Sequence, residues 1–164
     1  MATKTQALAS PAVASRTALI ADLNRAAREA SGLGNLFANA VAERLAVNPT
    51  DVECLGVIAG SERVTAGDLA NATGLTTGAI TGVIDRLERA GLARRERDRG
   101  DRRKVYVRMT RDGGARAMAL YASLGRAVDR LAARYTSDEI ALLTRYFDES
   151  HALMLREIAK LKGR

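Results

Sequence analysis

The chain has 164 residues, nearly half of them hydrophobic but only 4% aromatic, and its formal net charge is +7 with a pI near 10.2. This length suits one domain, or one small domain with an oligomerising appendage, and the basic pI favours a polyanionic partner. The sequence has no apolar run of eighteen residues, which excludes a membrane-spanning helix, and its single cysteine, Cys54, excludes an internal disulfide, so we expect a cytoplasmic protein.

The N-terminal part predicts a tail followed by a long helix. Residues 1–15 are small and polar, and we expect them to form a frayed tail. From residue 16 to about residue 47 apolar residues recur at helical spacing. Gly32 and Gly34 weaken the middle of this helix and predict a bend, and Asn48-Pro49 ends it. The apolar positions are Leu19, Leu23, Ala26, Ala30, Leu33, Phe37, Val41 and Leu45.

Three shorter helices follow. Thr50 and Glu53 have the spacing of a capping box and predict a helix to about residue 59. Thr65-Ala66-Gly67-Asp68 predicts the start of a second helix over residues 66–72, with Asp68 favourable in its first turn. After a turn at Gly74, Thr76 or Thr77 can cap a third helix that runs to residue 90. Its buried face is predicted from apolar residues spaced i, i+3, i+4, i+7, which are Ile80, Val83, Ile84 and Leu87.

A hairpin is predicted next, because the apolar period changes from 3.6 to 2. Gly91 fits the left-handed position after a helix. Val105, Val107 and Met109 alternate with polar residues and predict a half-buried strand, with which residues 92–97 can pair. Residues 98–103 then form a charged tip, in which Gly100 supplies the turn.

Two helices complete the chain. Thr110 can cap a long helix, interrupted early by Gly113-Gly114, that continues to about residue 135, and Thr136 and Glu139 form a capping box for the last helix. We therefore predict a mainly α fold, a winged helix-turn-helix with a two-stranded β-wing, flanked by N- and C-terminal dimerisation helices. The predicted segments are a disordered tail at 1–15, a dimerisation helix at 16–47, a DNA-binding domain at 48–112 and dimerisation helices at 113–164.

Basic residues are concentrated around the predicted hairpin. Residues 86–111 hold eleven of the twenty-six Lys and Arg residues and four acids, so this segment carries a net charge of +7, equal to that of the whole chain. Such focused charge is typical of a surface that docks on a polyanion. A solvated Arg-rich face without a partner is the alternative.

The helix that ends at residue 90 is predicted to enter the major groove of double-stranded DNA, because the exposed face near its start is small and polar. We expect Thr76 to act mainly as a cap, and Thr77 and Thr81 to contact bases or phosphates. Arg86, one turn further, could reach a phosphate or a guanine. The candidate residues on this helix are Thr76, Thr77, Gly78, Thr81, Gly82 and Arg86.

The hairpin is predicted to enter a narrow minor groove. Asp98 and Asp101 are expected to hold neighbouring arginines in a fixed orientation, although acids that simply balance the arginines in a solvated turn are the alternative. The candidate DNA-binding residues of the wing are Arg97, Arg99, Arg102, Arg103 and Lys104.

These segments together resemble the MarR family of bacterial transcription regulators. The resemblance rests on Leu69–Thr81, on Val83–Leu92, on the Asp98-x-x-Asp101-Arg102-Arg103 hairpin and on Met109-Thr110-x-x-Gly113. It implies a homodimer that binds a palindromic operator, with the wings in flanking minor grooves, and usually repression that a small ligand relieves. Many members carry an arginine after the position of Thr81, where this chain has Gly82. Because this long base-reading side chain is absent, the operator sequence is expected to differ from that of those members.

The apolar stripes of the flanking helices predict a dimer interface, and the resemblance implies an effector pocket near the junction of these helices with the winged domain. For the interface we expect the residues Leu19, Leu23, Ile140, Leu143, Phe147, Met154, Ile158 and Leu161. For an effector of unknown class, a pocket could be lined by Phe37, Val41, Leu55, Ile58, Met118 and Tyr121. Ordinary core packing is the alternative for each of these residues.

Other functions have weaker support in the sequence. Cys54 allows a redox-sensing regulator, but the adjacent Glu53 should raise its pKa, so we expect a buried, structural thiol. His151 stands alone, and we predict no metal site and no cofactor. We find no nucleophile–base pair, so an enzyme is disfavoured. A non-specific architectural DNA-binding protein and a winged-helix adaptor that no longer binds DNA stay open as alternatives.

Overall fold

The computed structural model describes residues 15–98, 100–101, 103–161 and 163. It contains six helices and a small sheet in these residues. The helices are α1 (Arg16–Leu45), α2 (Pro49–Ala59), α3 (Ala66–Thr73), α4 (Thr77–Arg89), α5 (Arg111–Ala132) and α6 (Ser137–Leu161). The strands are β1 (Val64–Thr65), β2 (Ala93–Arg97) and β3 (Val105–Met109). The fold is thus mainly helical with a winged helix-turn-helix at its centre, as the sequence predicted.

The chain divides into two compact units between Gly113 and Gly114. The first unit has a core in which α1 packs on α2, and α2 packs on α3, α4 and β3. The apolar residues of α4 at the predicted spacing are all buried there. In the second unit α6 has no buried residue among those that the structure describes.

The start of α2 corrects one prediction. Asn48 is the N-cap and Pro49 is the first helical residue, so the predicted Thr50–Glu53 capping box does not form. Instead the backbone N–H of Asn48 donates to Asp51 Oδ2 at 3.0 Å. The reason is that α1 already ends at Leu45, with Ala46 in the left-handed conformation, and proline suits the first position of a helix.

Two other predicted helix starts are confirmed. Thr65 and Asp68 exchange hydrogen bonds at the start of α3, which lower the pKa of the Asp68 carboxyl, and Thr136 and Glu139 do the same at the start of α6. The predicted interruption at Gly113-Gly114 is wrong, because α5 runs through both glycines. Helix α1 likewise continues through Gly32 and Gly34.

The sheet has three strands in the order β1-β3-β2, all antiparallel. The hairpin of β2 and β3 was predicted, whereas β1, which pairs Val64 with Val107 and Thr65 with Tyr106, was not. Only Val107 of the three alternating apolar residues of β3 is buried; Val105 is exposed and Met109 is half-buried. Fewer residues of β3 are therefore buried than the alternating sequence pattern predicted.

Candidate nucleic-acid interface

The start of α4 presents a polar end to the surface. Thr76 is the N-cap, and its Oγ1 accepts a hydrogen bond from the N–H of Ala79 at 3.3 Å, as predicted for a capping role. The first N–H groups of a helix have no acceptor within the helix, and together with the helix dipole they attract anions. At α4 these groups belong to Thr77 and Gly78, which are both exposed. This end of the helix can therefore hold a phosphate oxygen.

One turn further along α4, Thr81 is exposed and Gly82 is half-buried. The Thr81 hydroxyl donates to the carbonyl oxygen of Thr77 at 3.1 Å. Because that bond uses the hydroxyl proton, the lone pairs of Thr81 Oγ1 remain for a donor such as the amino group of adenine or cytosine. The predicted face of small and polar groups is thus accessible along the first two turns of the helix.

Arg86 forms an ion pair within the domain that the sequence did not predict. Its Nε donates to Asp51 Oδ2 at 2.9 Å and its Nη2 donates to Asp51 Oδ1 at 2.6 Å, and the Asp51 side chain is fully buried. The hydrogen bonds that the guanidinium donates to Asp51 raise its pKa. Arg86 therefore joins α4 to α2 inside the domain, and its predicted contact with a phosphate or a guanine stays a prediction.

A second arginine joins α4 to the wing. Arg95 of β2 donates from Nη2 to Asp85 Oδ1 at 2.7 Å, and its Nη1 pairs with Glu88. The backbone N–H of Arg95 also donates to Glu88 Oε1 at 2.7 Å. Arg86 thus joins α4 to α2, and Arg95 joins α4 to β2. These ion pairs neutralise part of the positive charge of this segment within the domain.

The C-terminal end of α4 is fixed by the Thr110-x-x-Gly113 motif. Gly91 has the predicted left-handed conformation, with a φ of 69°. Thr110 Oγ1 donates to the Gly91 carbonyl oxygen at 2.6 Å and accepts from the N–H of Gly113 at 2.9 Å. Gly113 packs so tightly that a Cβ there would lie 2.5 Å from Leu92 Cα. The motif therefore holds the start of α5 against the end of α4.

Asp98 organises the tip of the wing through backbone N–H groups and Arg63. Its Oδ1 accepts the N–H groups of Asp101 and Gly100, each at 2.8 Å, and its Oδ2 accepts Nη2 of Arg63 at 3.0 Å. The two backbone bonds, with a smaller effect of the Arg63 charge, lower the pKa of the Asp98 carboxyl. Among the described residues the oxygens of Asp98 serve the turn and Arg63, which lies outside the wing, and the expectation that Asp98 also holds a neighbouring wing arginine stays a prediction.

Asp101 does hold a wing arginine, as predicted. Its Oδ1 accepts both the backbone N–H of Arg103, at 3.1 Å, and its Nε, at 3.3 Å. The Arg103 side chain is 94% exposed, and Arg97 and Lys104 are exposed beside it. Arg97 and Lys104 form no ion pair with the described part of the chain, so both cations are available to a phosphate. The predicted wing residues Arg99 and Arg102 lie outside the described residues.

Sequence reasoning missed Arg63, which lies just before β1. Its guanidinium carbon is 5.3 Å from the centre of the Tyr106 ring. Both residues line an open cleft of about 390 Å³ along the wing, together with Glu96, Arg97, Asp98, Gly100 and Arg108. No local pattern marks a single arginine in a loop, so only the three-dimensional pairing could identify it.

The residues predicted for an effector pocket fall into two groups. Val41, Leu55 and Ile58 are buried in the core of the first unit, whereas Met118 of the second unit is 68% exposed. Phe37 and Tyr121 are half-buried. Met118 is therefore not a core residue of the single chain.

Cys54 is fully buried, as expected. Burial, with smaller effects of the charges of Asp51 and Glu53, raises the pKa of its thiol to about 11. A thiol of this kind is almost entirely protonated at neutral pH and is a poor nucleophile. The structure therefore supports the structural role of Cys54 over redox sensing.

Comparison with known proteins identifies a matching family model and relatives among transcription regulators. A family model described as MarR family matches residues 36–104. The chain is 33% identical over 127 residues to the uncharacterized HTH-type transcriptional regulator YcgE of Bacillus subtilis. This alignment covers 77% of this chain and 82% of the relative. It is 29% identical over 97 residues to the homoprotocatechuate degradative operon repressor of Escherichia coli, which covers 59% of this chain and 66% of the relative.

Solved structures share the fold. A MarR family protein from Bacillus stearothermophilus has a TM-score of 0.65 at 21% identity, with coverage of 87% of this chain and 99% of the other. The apo form of wild-type MarR from E. coli has a TM-score of 0.56 at 23% identity, with coverage of 78% of this chain and 96% of the other. In the described part of this chain no helix has the length and apolar character needed to cross a membrane.

Proposed function

Because the chain belongs to the MarR family and is a DNA-binding transcription regulator, we propose that it is a repressor that binds a palindromic operator as a homodimer and is released by a small molecule. One observation carries the operator part of this proposal. Within one compact unit, α4 offers an exposed polar N-terminal end, and the adjoining wing offers the exposed cations of Arg97, Arg103 and Lys104. A helix for the major groove and a basic hairpin for the minor groove form the usual DNA-binding pair of a winged helix.

The proposed DNA contacts are divided between the two elements. On α4 the N–H groups of Thr77 and Gly78 hold a phosphate, and Thr81 contacts a base edge, with Gly82 leaving room for close approach. On the wing the exposed cations meet the backbone, and Arg99 and Arg102 of the same tip belong to this set by sequence. Phosphate contacts fix the position of the protein, and the contact of Thr81 contributes sequence preference.

A homodimer is supported by apolar residues that a single chain leaves in water. The eight residues predicted for the interface are all between 39% and 89% exposed, and they are Leu19, Leu23, Ile140, Leu143, Phe147, Met154, Ile158 and Leu161. An apolar stripe of this length is unfavourable in water and marks a protein contact. Two-fold symmetry would present two copies of α4 to the two halves of a palindrome.

The repressor and effector parts of the proposal rest on the family and on a named relative. The E. coli relative is a repressor of a homoprotocatechuate degradative operon. For this chain the effector is a small molecule of unknown class, and the pocket predicted for it from the sequence stays a prediction, since Val41, Leu55 and Ile58 are buried in the core of the first unit. As a regulator of bacterial genes the protein would act in the cytoplasm.

Selection of duplexes from a random library by the purified protein tests the operator. The selected duplex should be two-fold symmetric and should bind at least ~10³ times more tightly than a scrambled duplex in a fluorescence anisotropy titration. Equal and steeply salt-dependent binding to both duplexes would instead indicate an architectural DNA-binding protein.

Light scattering after size exclusion tests the dimer. Phe147→Glu should produce a monomer, because it places a charge in the apolar stripe of α6. Arg145→Glu is the matched control, since residues two apart on a helix lie on nearly opposite sides and Arg145 is exposed. A dimer of the Phe147→Glu variant as stable as that of wild type would reject this interface.

A further inference from the structure

Arg63, in the loop before β1, contacts residues from both sides of the wing hairpin. Val64 and Thr65 pair with Val107 and Tyr106 of β3, and Val64 is buried, so the backbone next to Arg63 is anchored in the sheet. From this anchor the Arg63 guanidinium lies over the Tyr106 ring of β3, 5.3 Å from its centre. It also donates to Asp98, which directly follows β2, at 3.0 Å.

Asp98 transmits this contact to the tip. One carboxylate oxygen takes the Arg63 guanidinium, while the other takes the N–H groups of Gly100 and Asp101. Asp101 in turn holds Arg103 through its own carboxylate. A chain of hydrogen bonds thus runs from a residue outside the wing to one of its exposed cations.

The wing needs such support because it is a two-stranded ribbon beyond its short pairing with β1. Two-stranded hairpins are only marginally stable in water. A tip that moves must lose that freedom when it docks in a groove, and the lost entropy weakens binding. A contact that orders the tip before docking therefore strengthens binding.

We propose that Arg63 is a positioning residue for DNA binding, which fixes the wing through Asp98 and Tyr106 and makes no essential contact with DNA itself. This inference rests on the proposed role of the wing in DNA binding. Although the Arg63 side chain is 68% exposed, its Nη2 is held by a carboxylate and its guanidinium lies over an aromatic ring. A phosphate at this place would also meet the negative charge of Asp98.

Asp98→Asn separates positioning from direct contact. The amide oxygen of asparagine can still accept the N–H groups of Gly100 and Asp101, while the charged partner of Arg63 is removed. If Arg63 positions the wing, Asp98→Asn and Arg63→Ala should each weaken binding to the selected duplex about three- to tenfold, and the double variant should be no weaker than either one. Arg25→Ala, which removes an exposed and ion-paired arginine of α1, is the control and should bind like wild type.

Hydroxyl-radical footprints locate the loss. Both variants should lose protection at the flanks of the duplex, where the wings reach, and keep protection at the two major-groove halves. Binding by Asp98→Asn that equals or exceeds that of wild type, while Arg63→Ala binds weakly, would overturn the proposal in favour of a direct phosphate contact. Uniform loss of the footprint together with a lowered melting temperature would overturn it in favour of a general role in folding.

Amide hydrogen exchange tests the same inference without DNA. The N–H groups of Gly100 and Asp101 should exchange faster in Arg63→Ala, while those of α4 exchange as in wild type. Unchanged exchange of the Gly100 and Asp101 N–H groups in Arg63→Ala would overturn the proposal that Arg63 positions the wing. Because this measurement needs no operator, it gives a result even if the wild-type protein proves to bind DNA without sequence preference.

Discussion

Arg86 of α4 and Asp51 of α2 form a two-point ion pair across 35 residues of sequence, with N···O distances of 2.9 and 2.6 Å. The two ends of this pair lie in different surroundings. The Asp51 carboxylate is fully buried, while the Arg86 side chain is 35% exposed. An isolated charge is far less stable in the interior than at the surface, so removal of either partner should have different consequences.

Arg86→Ala should lower the free energy of unfolding by about 3 kcal/mol, because it leaves a buried carboxylate without its cation. Asp51→Asn should cost less, about 1–2 kcal/mol, because the freed guanidinium can turn to water. Urea unfolding measures both. Arg89→Ala is the control on the same helix, since the Arg89 Nε donates only to the Asp85 carbonyl oxygen at 3.2 Å. Equal losses for Arg86→Ala and Arg89→Ala would show that the ion pair contributes nothing.

The contrast between this pair and the helices shows what the sequence could predict. Helix starts at Thr65 and Thr136 and the turn at Gly91 were predicted because their signals are local: a hydroxyl, an acid three residues later, or a glycine after an apolar period. The pairing of Arg86 with Asp51, and that of Arg63 with Asp98, joins residues 35 apart, and no local pattern encodes it.

The candidate site was predictable for the same reason only in part. The buried face of α4 follows from the helical period, and Thr77, at the helix start, and Thr81 are exposed beside it. Which of the many arginines are free does not follow from the sequence, because it depends on carboxylates brought in by other elements. Strand β1 was missed since two residues are too few to show a period.

Thr81→Ala should reduce discrimination between the selected duplex and single-base variants by about 1 kcal/mol, while binding to random DNA changes little. The reason is that Thr81 is exposed on α4 with lone pairs and a methyl group available to a base edge. Thr81→Ser keeps the hydroxyl and removes only the methyl group, so it separates the two contributions. Anisotropy titrations against a panel of variant duplexes provide the measurement.

Thr76→Ala offers the comparison within the same helix. Because Thr76 caps α4, its loss should cost about 1 kcal/mol of stability and weaken binding to all duplexes alike. If Thr81→Ala also weakens every duplex equally, Thr81 contacts a phosphate and carries no sequence preference.

Arg103→Ala should lower the magnitude of the slope of log K against log salt concentration by about 0.9, because each neutralised phosphate releases condensed counterions. The exposed Lys104 should behave in the same way. Arg25→Ala on α1 provides a control of equal charge change. An unchanged slope for Arg103→Ala would mean that this side of the tip does not meet the backbone.

Gly113→Ala should destabilise the DNA-binding unit by about 1–3 kcal/mol, since its Cβ would overlap the Leu92 backbone and the Thr110 hydroxyl. Gly125→Ala on the same helix is the matched control. Apart from its chain neighbours and the local backbone of the helix, no described atom lies within 4 Å of the Cβ position at Gly125, so this substitution should stabilise α5 by about 0.5–1 kcal/mol. Thermal unfolding of both variants checks the opposite signs, and a stabilised Gly113→Ala variant would contradict the tight packing of the motif.

Cys54 should react slowly with iodoacetamide near neutral pH in the native protein and rapidly once urea unfolds the chain, because its pKa of about 11 keeps the thiol protonated. The same shift has a consequence for stability. The unfolded thiol loses its proton near pH 9, whereas the folded thiol keeps it to about pH 11, so the folded state binds more protons in this window. The contribution of Cys54 is therefore fully present below pH 9 and is lost as the pH rises towards 11.

Urea unfolding of wild type and Cys54→Ala across this pH range isolates that contribution from other groups that titrate there. The difference in unfolding free energy between the two proteins should shrink as the pH rises from 9 to 11. A difference that stays constant, or rapid alkylation of the native protein, would mean that the thiol ionises readily in the folded state, and redox sensing at Cys54 would then regain support over a structural role.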